Sequence, residues 1–263
     1  MPLKNRLIPV LLLQNGLLVR SELFKIHQAI GNPFYEVQRF NHWNVDELIY
    51  LDISRSDSYD LRRDDHKLKG LDDPLGILDA VSQTCFMPLT WGGRISSVDQ
   101  MREIFRRGAD KVTINSCAMR TPKLIEQGSR VFGSQAIVVS IDVLMHPDGR
   151  REVMIDGART ATGRDPADWA LEVQRRGAGE ILLQSIDRDG TGTGYDIDLI
   201  RLVAASTSIP VIACSGVGQY SHYADGIRAG ASAVAAANIW HFKELSDRGG
   251  KRALAKAGIN ARL

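Results

Sequence analysis

Short apolar runs recur along the chain, separated by stretches in which apolar residues return every three or four positions. Eight runs read as strands: Leu7–Leu13, Glu47–Ile53, Phe86–Trp91, Lys111–Asn115, Ala136–Asp142, Glu180–Ile186, Pro210–Cys214 and Ala233–Ala237. Most are continuously apolar, without in-and-out alternation, as in parallel strands covered on both faces. Between them, Ser97–Arg107 sets Val98, Met101, Ile104 and Phe105 on one face and stops at Gly108. Pro166–Arg176 does the same with Trp169, Leu171 and Val173 and stops at Gly177. A capping residue or Pro opens each helix and Gly closes it. Repeated β–α units of this kind predict an α/β chain folded as a single (β/α)₈ TIM barrel.

The chain also repeats itself. Gly108-Ala109-Asp110-Lys111-Val112 is matched by Gly230-Ala231-Ser232-Ala233-Val234, and Gly92-Gly93 by Ser215-Gly216-Val217-Gly218. A repeat this long fits two half-barrels, residues 1–131 and 132–263, and excludes a solenoid or propeller. The turn-rich stretch around His146-Pro147-Asp148-Gly149 predicts a hairpin inserted at 144–163, and Ser54–Asp73 reads as a charged loop.

Composition narrows the function. The 263 residues suit one barrel, and 44% hydrophobic with 24% charged residues gives a core and excludes disorder. A net charge of +2 argues against a dedicated nucleic-acid binder. Leu7–Leu13 is too short for a membrane span and runs into the turn Gln14-Asn15-Gly16, so a cytoplasmic chain without a signal peptide is expected. Cys85, Cys117 and Cys214 are an odd, scattered set that suits reduced thiols. No zinc-type spacing is present, and no metal or cofactor is expected.

In a barrel of this kind, chemistry sits at the C-terminal strand ends. Those positions hold Gly92-Gly93, Asn115-Ser116, Asp189-Gly190-Thr191, Ser215-Gly216 and Ala237-Asn238. Small residues let backbone N–H groups approach an anion, and a following helix start favours negative charge. One Gly pair alone suits a tight turn; two clusters related by the repeat point to a ligand carrying a phosphate at each end. Asp52, Asp142 and Asp187 end apolar runs, where desolvation can raise a carboxyl toward working pH, and Asp142 is the leading acid–base candidate. Cys117, Cys214 and His241 read as packing or capping residues, the four Trp as core or rim, with Trp91 also suited to narrowing the mouth, and His146 as exposed.

Several stretches resemble the cyclase subunit of imidazole glycerol phosphate synthase, from Arg6 to the end of the chain. They include Arg6–Pro9, Asp46–Asp52, Gly108–Asn115, Phe132–Val138, Gly177–Leu183 and, most specifically, Ser185-Ile186-Asp187-Arg188-Asp189-Gly190-Thr191. The resemblance implies a barrel that takes ammonia from a glutaminase partner and adds it to a bis-phosphorylated ribulosyl formimino carboxamide. It places Gly93, Asn115 and Ser116 on one phosphate, and Asp189, Gly190, Gly216, Ala237 and Asn238 on the other. Asp142 matches a catalytic carboxylate. Arg6, Glu47, Lys111 and Glu180 match a ring of charges gating the ammonia passage, and Asp110 a partner-facing carboxylate.

The chain departs from that family at the substrate. Its first strand reads Ile8-Pro9-Val10-Leu11-Leu12-Leu13, with Leu12 where the family carries a second catalytic Asp. Arg94 and Val217 replace family glycines. A kept gate beside a lost acid resembles the divergent paralogues of surface-polysaccharide clusters. That implies ammonia supplied, with a glutaminase and a sugar amidotransferase, for amidination of an N-acetyl sugar in lipopolysaccharide biosynthesis. The alternatives are a histidine-pathway cyclase in which Asp52 or a water replaces the lost acid, and a non-catalytic activator of a glutaminase.

Overall fold

The computed structural model describes residues 4–43, 45–55, 59, 73–243 and 246–262. Most of the charged loop expected at Ser54–Asp73 lies outside these residues. The strands are β1 (Arg6–Gln14), β2 (Leu17–Glu22), β3 (Ile26–Gly31), β4 (Leu48–Asp52), β5 (Leu89–Gly92), β6 (Lys111–Ile114), β7 (Ile137–Met145), β8 (Arg151–Ile155), β9 (Thr160–Ala161), β10 (Glu180–Ser185), β11 (Val211–Cys214) and β12 (Ala233–Ala236). Eight of them pair in parallel in the order β10-β11-β12-β1-β4-β5-β6-β7, and β7 returns to β10. This ring of eight closes as the (β/α)₈ barrel.

All eight expected strands form, mostly within a residue or two of their predicted ends. The third starts late: Phe86 is 87% exposed and the strand begins at Leu89. Helices cover the outside. Ser97 caps residues 98–106 by accepting from the Gln100 amide, and Asp165 caps 166–175 from the Ala167 and Asp168 amides, with Pro166 at the first position.

The continuous apolar runs split into two cores. On β1, Leu7, Leu11 and Leu13 join the layer beneath the helices, whereas Ile8, Val10 and Leu12 join an inner cluster with Ile49, Leu51, Val138, Leu182, Ile212, Ala233 and Ala235. Period-two alternation is therefore present but masked, because both faces bury apolar side chains. Trp91 lies in the outer layer, stacked on Tyr50 at 5.6 Å, and does not narrow the mouth. Trp43 and Trp240 pack with Phe40.

Two antiparallel excursions leave the C-terminal end. β8 pairs with β7, and β9 with β8. There His146 is half-buried against Glu152 at 2.7 Å, correcting its expected exposed role. The other excursion was not expected. Asn15-Gly16, both at positive φ, turn β1 back into β2, and β3 pairs with β2. Asn-Gly between apolar runs is the signature of a two-residue hairpin turn.

Candidate active site

The C-terminal strand ends enclose a cavity of about 710 Å³. Of the mouth residues singled out from the sequence, Gly93, Asn115, Ser116, Asp142, Asp189, Gly190, Ser215, Gly216, Ala237 and Asn238 line it, whereas Gly92 and Thr191 do not. Parity explains why. On β7 the inner face carries Val138, Ser140 and Asp142; on β10 it carries Glu180, Leu182 and Gln184.

Asp142 is buried at the floor. Ser140 Oγ and Gln184 Nε2 both donate to its Oδ1 at 3.0 Å. Burial pushes the carboxyl up to about 6; hydrogen bonds from Ser140, Gln184 and Asn115 oppose the rise, and the charge of Asp189 adds to it. Leu12, 8% exposed, also lines the cavity, from β1. Its apolar side chain supplies no proton-transfer group there.

On the β5–β6 side, Gly93 adopts φ +100° and packs against the Asp52 carbonyl, where an added Cβ would come within 2.1 Å. Only glycine permits that approach. Asn115 Nδ2 donates to the Ser140 carbonyl at 3.1 Å, Ser116 Oγ donates to Asn115 Oδ1, and the Asp156 amide donates to Ser116 Oγ at 2.9 Å. The helices behind Asn115 and Asn238 are only five and four residues long. Helices this short carry little dipole. The cations Arg94, Arg120, Arg159 and Lys243 line the cavity.

On the opposite side the β2–β3 hairpin reaches the mouth. Ser21 Oγ donates to Asp189 Oδ2 at 2.6 Å, the Phe24 amide to the same oxygen at 3.1 Å, and the Leu23 amide to the Asp189 carbonyl at 3.0 Å. Asn238 Nδ2 donates to the Ser21 carbonyl at 2.9 Å. Burial raises the Asp189 carboxyl, against the hydrogen bonds from Ser21 and Phe24. Neither the hairpin nor its anchor is expected from the sequence.

The other acid–base candidates separate. Asp52 is buried at the cavity wall, accepts from the Ser54 amide at 2.9 Å and Tyr59 Oη at 3.1 Å, and lies 3.7 Å from Arg94. Asp187 is not among the cavity-lining residues; its carboxylate accepts from the Met145 amide at 2.8 Å and ties a loop. Burial pushes the Cys214 thiol up to about 12 and His241 down to about 4, which leaves both neutral. Among the described residues, no group of three His, Cys, Asp or Glu is placed to hold a metal ion, and no helix is long and apolar enough to cross a membrane.

At the other end, the strand starts meet in a closed ring. Arg6 Nη1 lies 2.6 Å from Glu47 and 2.8 Å from Glu180, and Lys111 Nζ lies 3.1 Å from Glu47 and 2.9 Å from Glu180. Burial works against the charge of Arg6, but Glu180 and Glu47 outweigh it and hold the guanidinium above its ordinary value. Asp110 is exposed beside the ring and accepts from the Leu89 amide at 2.8 Å.

The model of one family, described as histidine biosynthesis protein, matches residues 6–246. The chain belongs to this family. It is also similar to the imidazole glycerol phosphate synthase subunit HisF of Gluconacetobacter diazotrophicus, with 41% identity over 263 residues, covering 99% of this chain and 96% of that protein. The match spans the barrel from the strand-start ring to the cavity. Leu12 and Gln184 also lie inside the matched region, on the inner faces of β1 and β10.

Proposed function

We propose that this chain is the ammonia-using synthase component of a glutamine amidotransferase complex. Ammonia from a partner glutaminase enters at the strand-start ring and is used at the opposite mouth. The carrying observation is the placement of the two sites on one continuous inner face. On β10 alone that face runs from Glu180 in the ring, through Leu182, to Gln184 at the cavity floor. Those four residue steps span about 13 Å.

In this reading Asp142 is the catalytic acid–base. Gly93, Asn115 and Ser116 bind one phosphate of the ligand; Asp189, Gly190, Gly216, Ala237 and Asn238 form the site for the other. Asp189 contributes through its turn, since its carboxylate would repel a phosphate. Asp110 belongs to the glutaminase-facing surface. The cytoplasm is the expected setting.

Leu12 bears on the acceptor of the ammonia. With no acid at that place, the family's ring closure lacks one partner of a proton-transferring pair. We propose amidination of an N-acetyl sugar in lipopolysaccharide biosynthesis, with a sugar amidotransferase as a further partner, on the resemblance to the divergent paralogues of surface-polysaccharide clusters. A second reading, a histidine-biosynthesis cyclase, is favoured by the 41% identity over nearly the whole chain. In that reading Asp52, 3.7 Å from Arg94 at the cavity wall, or a water replaces the missing acid.

Glutamine hydrolysis by the glutaminase, with and without this chain, tests the ammonia-accepting role. Hydrolysis should rise when the chain is added, and Lys111→Met or Glu180→Gln should uncouple it from ammonia use. Hydrolysis indifferent to the chain would overturn the reading.

A further inference from the structure

Gln184 and Asp142 are register partners on the neighbouring parallel strands β10 and β7, and both face the cavity. The two hydrogens of the Gln184 amide are engaged: Nε2 donates to Asp142 Oδ1 at 3.0 Å and to Ser140 Oγ at 3.2 Å. Ser140 Oγ gives its own hydrogen to Asp142 Oδ1. The donors of this cluster are thus turned inward on one another. These bonds leave two acceptors of the cluster unused, Gln184 Oε1 and Asp142 Oδ2, with the Asn115 amide close enough to the carboxyl to lower it. Gln184 and Asp142 are both more than nine-tenths buried, at 9% and 6% exposure. Lower on the inner wall, Thr113 Oγ1 is likewise buried and without a hydrogen-bond partner.

Two buried acceptors, one on a carboxylate, select a guest made of donors. A phosphate or carboxylate is repelled. Water offers two hydrogens but also two lone pairs, for which the nearby donor is the Asn115 amide, already engaged with the Ser140 carbonyl. A compact cation whose every N–H can donate matches both the charge and the hydrogen-bond inventory. Leu12, on the inner face of β1, adds an apolar wall that keeps the site narrow in chemistry.

We propose that Gln184 Oε1 and Asp142 Oδ2 form an ammonium-binding site at the floor of the cavity. Gln184 acts there as a nitrogen-selecting residue. The site holds the nitrogen at the cavity end of the inner face that begins at the Glu180 ring. This rests on the reading of the chain as an ammonia-using component, and it adds the place where the nitrogen waits.

The test uses the isolated full chain labelled with nitrogen-15, titrated with ammonium chloride, or with sodium chloride at equal ionic strength. The Gln184 side-chain amide resonances should shift saturably with ammonium and not with sodium. Asp142→Asn should weaken the binding at least tenfold, read at the same amide. Gln184→Leu, read at the Asn115 side-chain amide, should weaken it similarly and serves if the other variant does not fold. Equal shifts with both salts, no saturable shift, or full affinity in a folded variant would overturn the site. No glutaminase is present, so this outcome is independent of the coupling experiment: a chain that stimulates glutamine hydrolysis yet binds no ammonium loses this site alone.

Discussion

Ser21 Oγ donates to Asp189 Oδ2 at 2.6 Å, and that bond ties the tip of the β2–β3 hairpin to the turn after β10. The Leu23 and Phe24 amides and Asn238 add further bonds there. β3 is mostly exposed, and Leu23 and Phe24 at the tip sit at φ +53° and +58°, a conformation that costs side-chain-bearing residues energy. Ser21→Ala should loosen the tip at a cost of about 1 kcal/mol in local stability. Hydrogen exchange at the Leu23 and Phe24 amides should quicken about fivefold, following that cost. Gly190→Ala should act more strongly, since its Cβ would come 2.4 Å from the Ser21 carbonyl.

Asp142 sets a pH dependence of stability. Its folded-state value of about 6 lies above the ordinary 3.8, so the fold favours the neutral carboxyl. That contribution is complete below 3.8 and is lost as pH rises through 6. Asp142→Asn keeps the shape and removes the buried charge. It should be more stable than the parent by about 3 kcal/mol above neutral pH and nearly equal to it at the acid end. Urea unfolding at several pH values measures the difference; a constant gap across the range would contradict the assignment.

The strand-start ring makes an asymmetric prediction. Lys111→Met leaves Glu47 and Glu180 facing each other with Arg6 alone to balance them. Breaking one member of such a partly buried network should cost about 3 kcal/mol. Replacing all four charges by apolar residues of similar size should cost far less, because the desolvation of every member is relieved together. Thermal unfolding of the single and fourfold variants checks this, and a fourfold variant weaker than Lys111→Met would contradict it.

Much of this was legible in the sequence, for particular reasons. Strand runs such as Val138–Ile141 and Leu182–Leu183 announce strands buried on both sides, and Gly108 and Gly177 mark where helices stop. The mouth residues follow from strand ends alone. What was hidden depends on parity and long-range contact. Apolar runs do not reveal which side chain points inward, so Trp91 could be placed at the mouth although it packs outward. Gln184 carries no motif; its role appears only when β10 is set in register against β7. Asp187 ends the same apolar run as Gln184, yet a short 3₁₀ turn swings it to the Met145 amide. The hairpin had one visible signal, Asn15-Gly16, but its tip Leu23-Phe24-Lys25 lacks any turn residue and is fixed by Asp189, far along the chain.

Leu12 carries the central claim, and the most direct measurement is ammonia-dependent turnover of the family's bis-phosphate by the native chain and by Leu12→Asp. Losing one partner of a positioned proton-transfer pair costs about 10²–10⁴ in rate. The account predicts native turnover depressed by that order and a measurable gain in Leu12→Asp, even though a second buried carboxylate near Asp142 destabilises the fold. Turnover by the native chain at an ordinary enzymatic rate, unimproved by Leu12→Asp, would contradict it and establish the histidine-pathway cyclase instead.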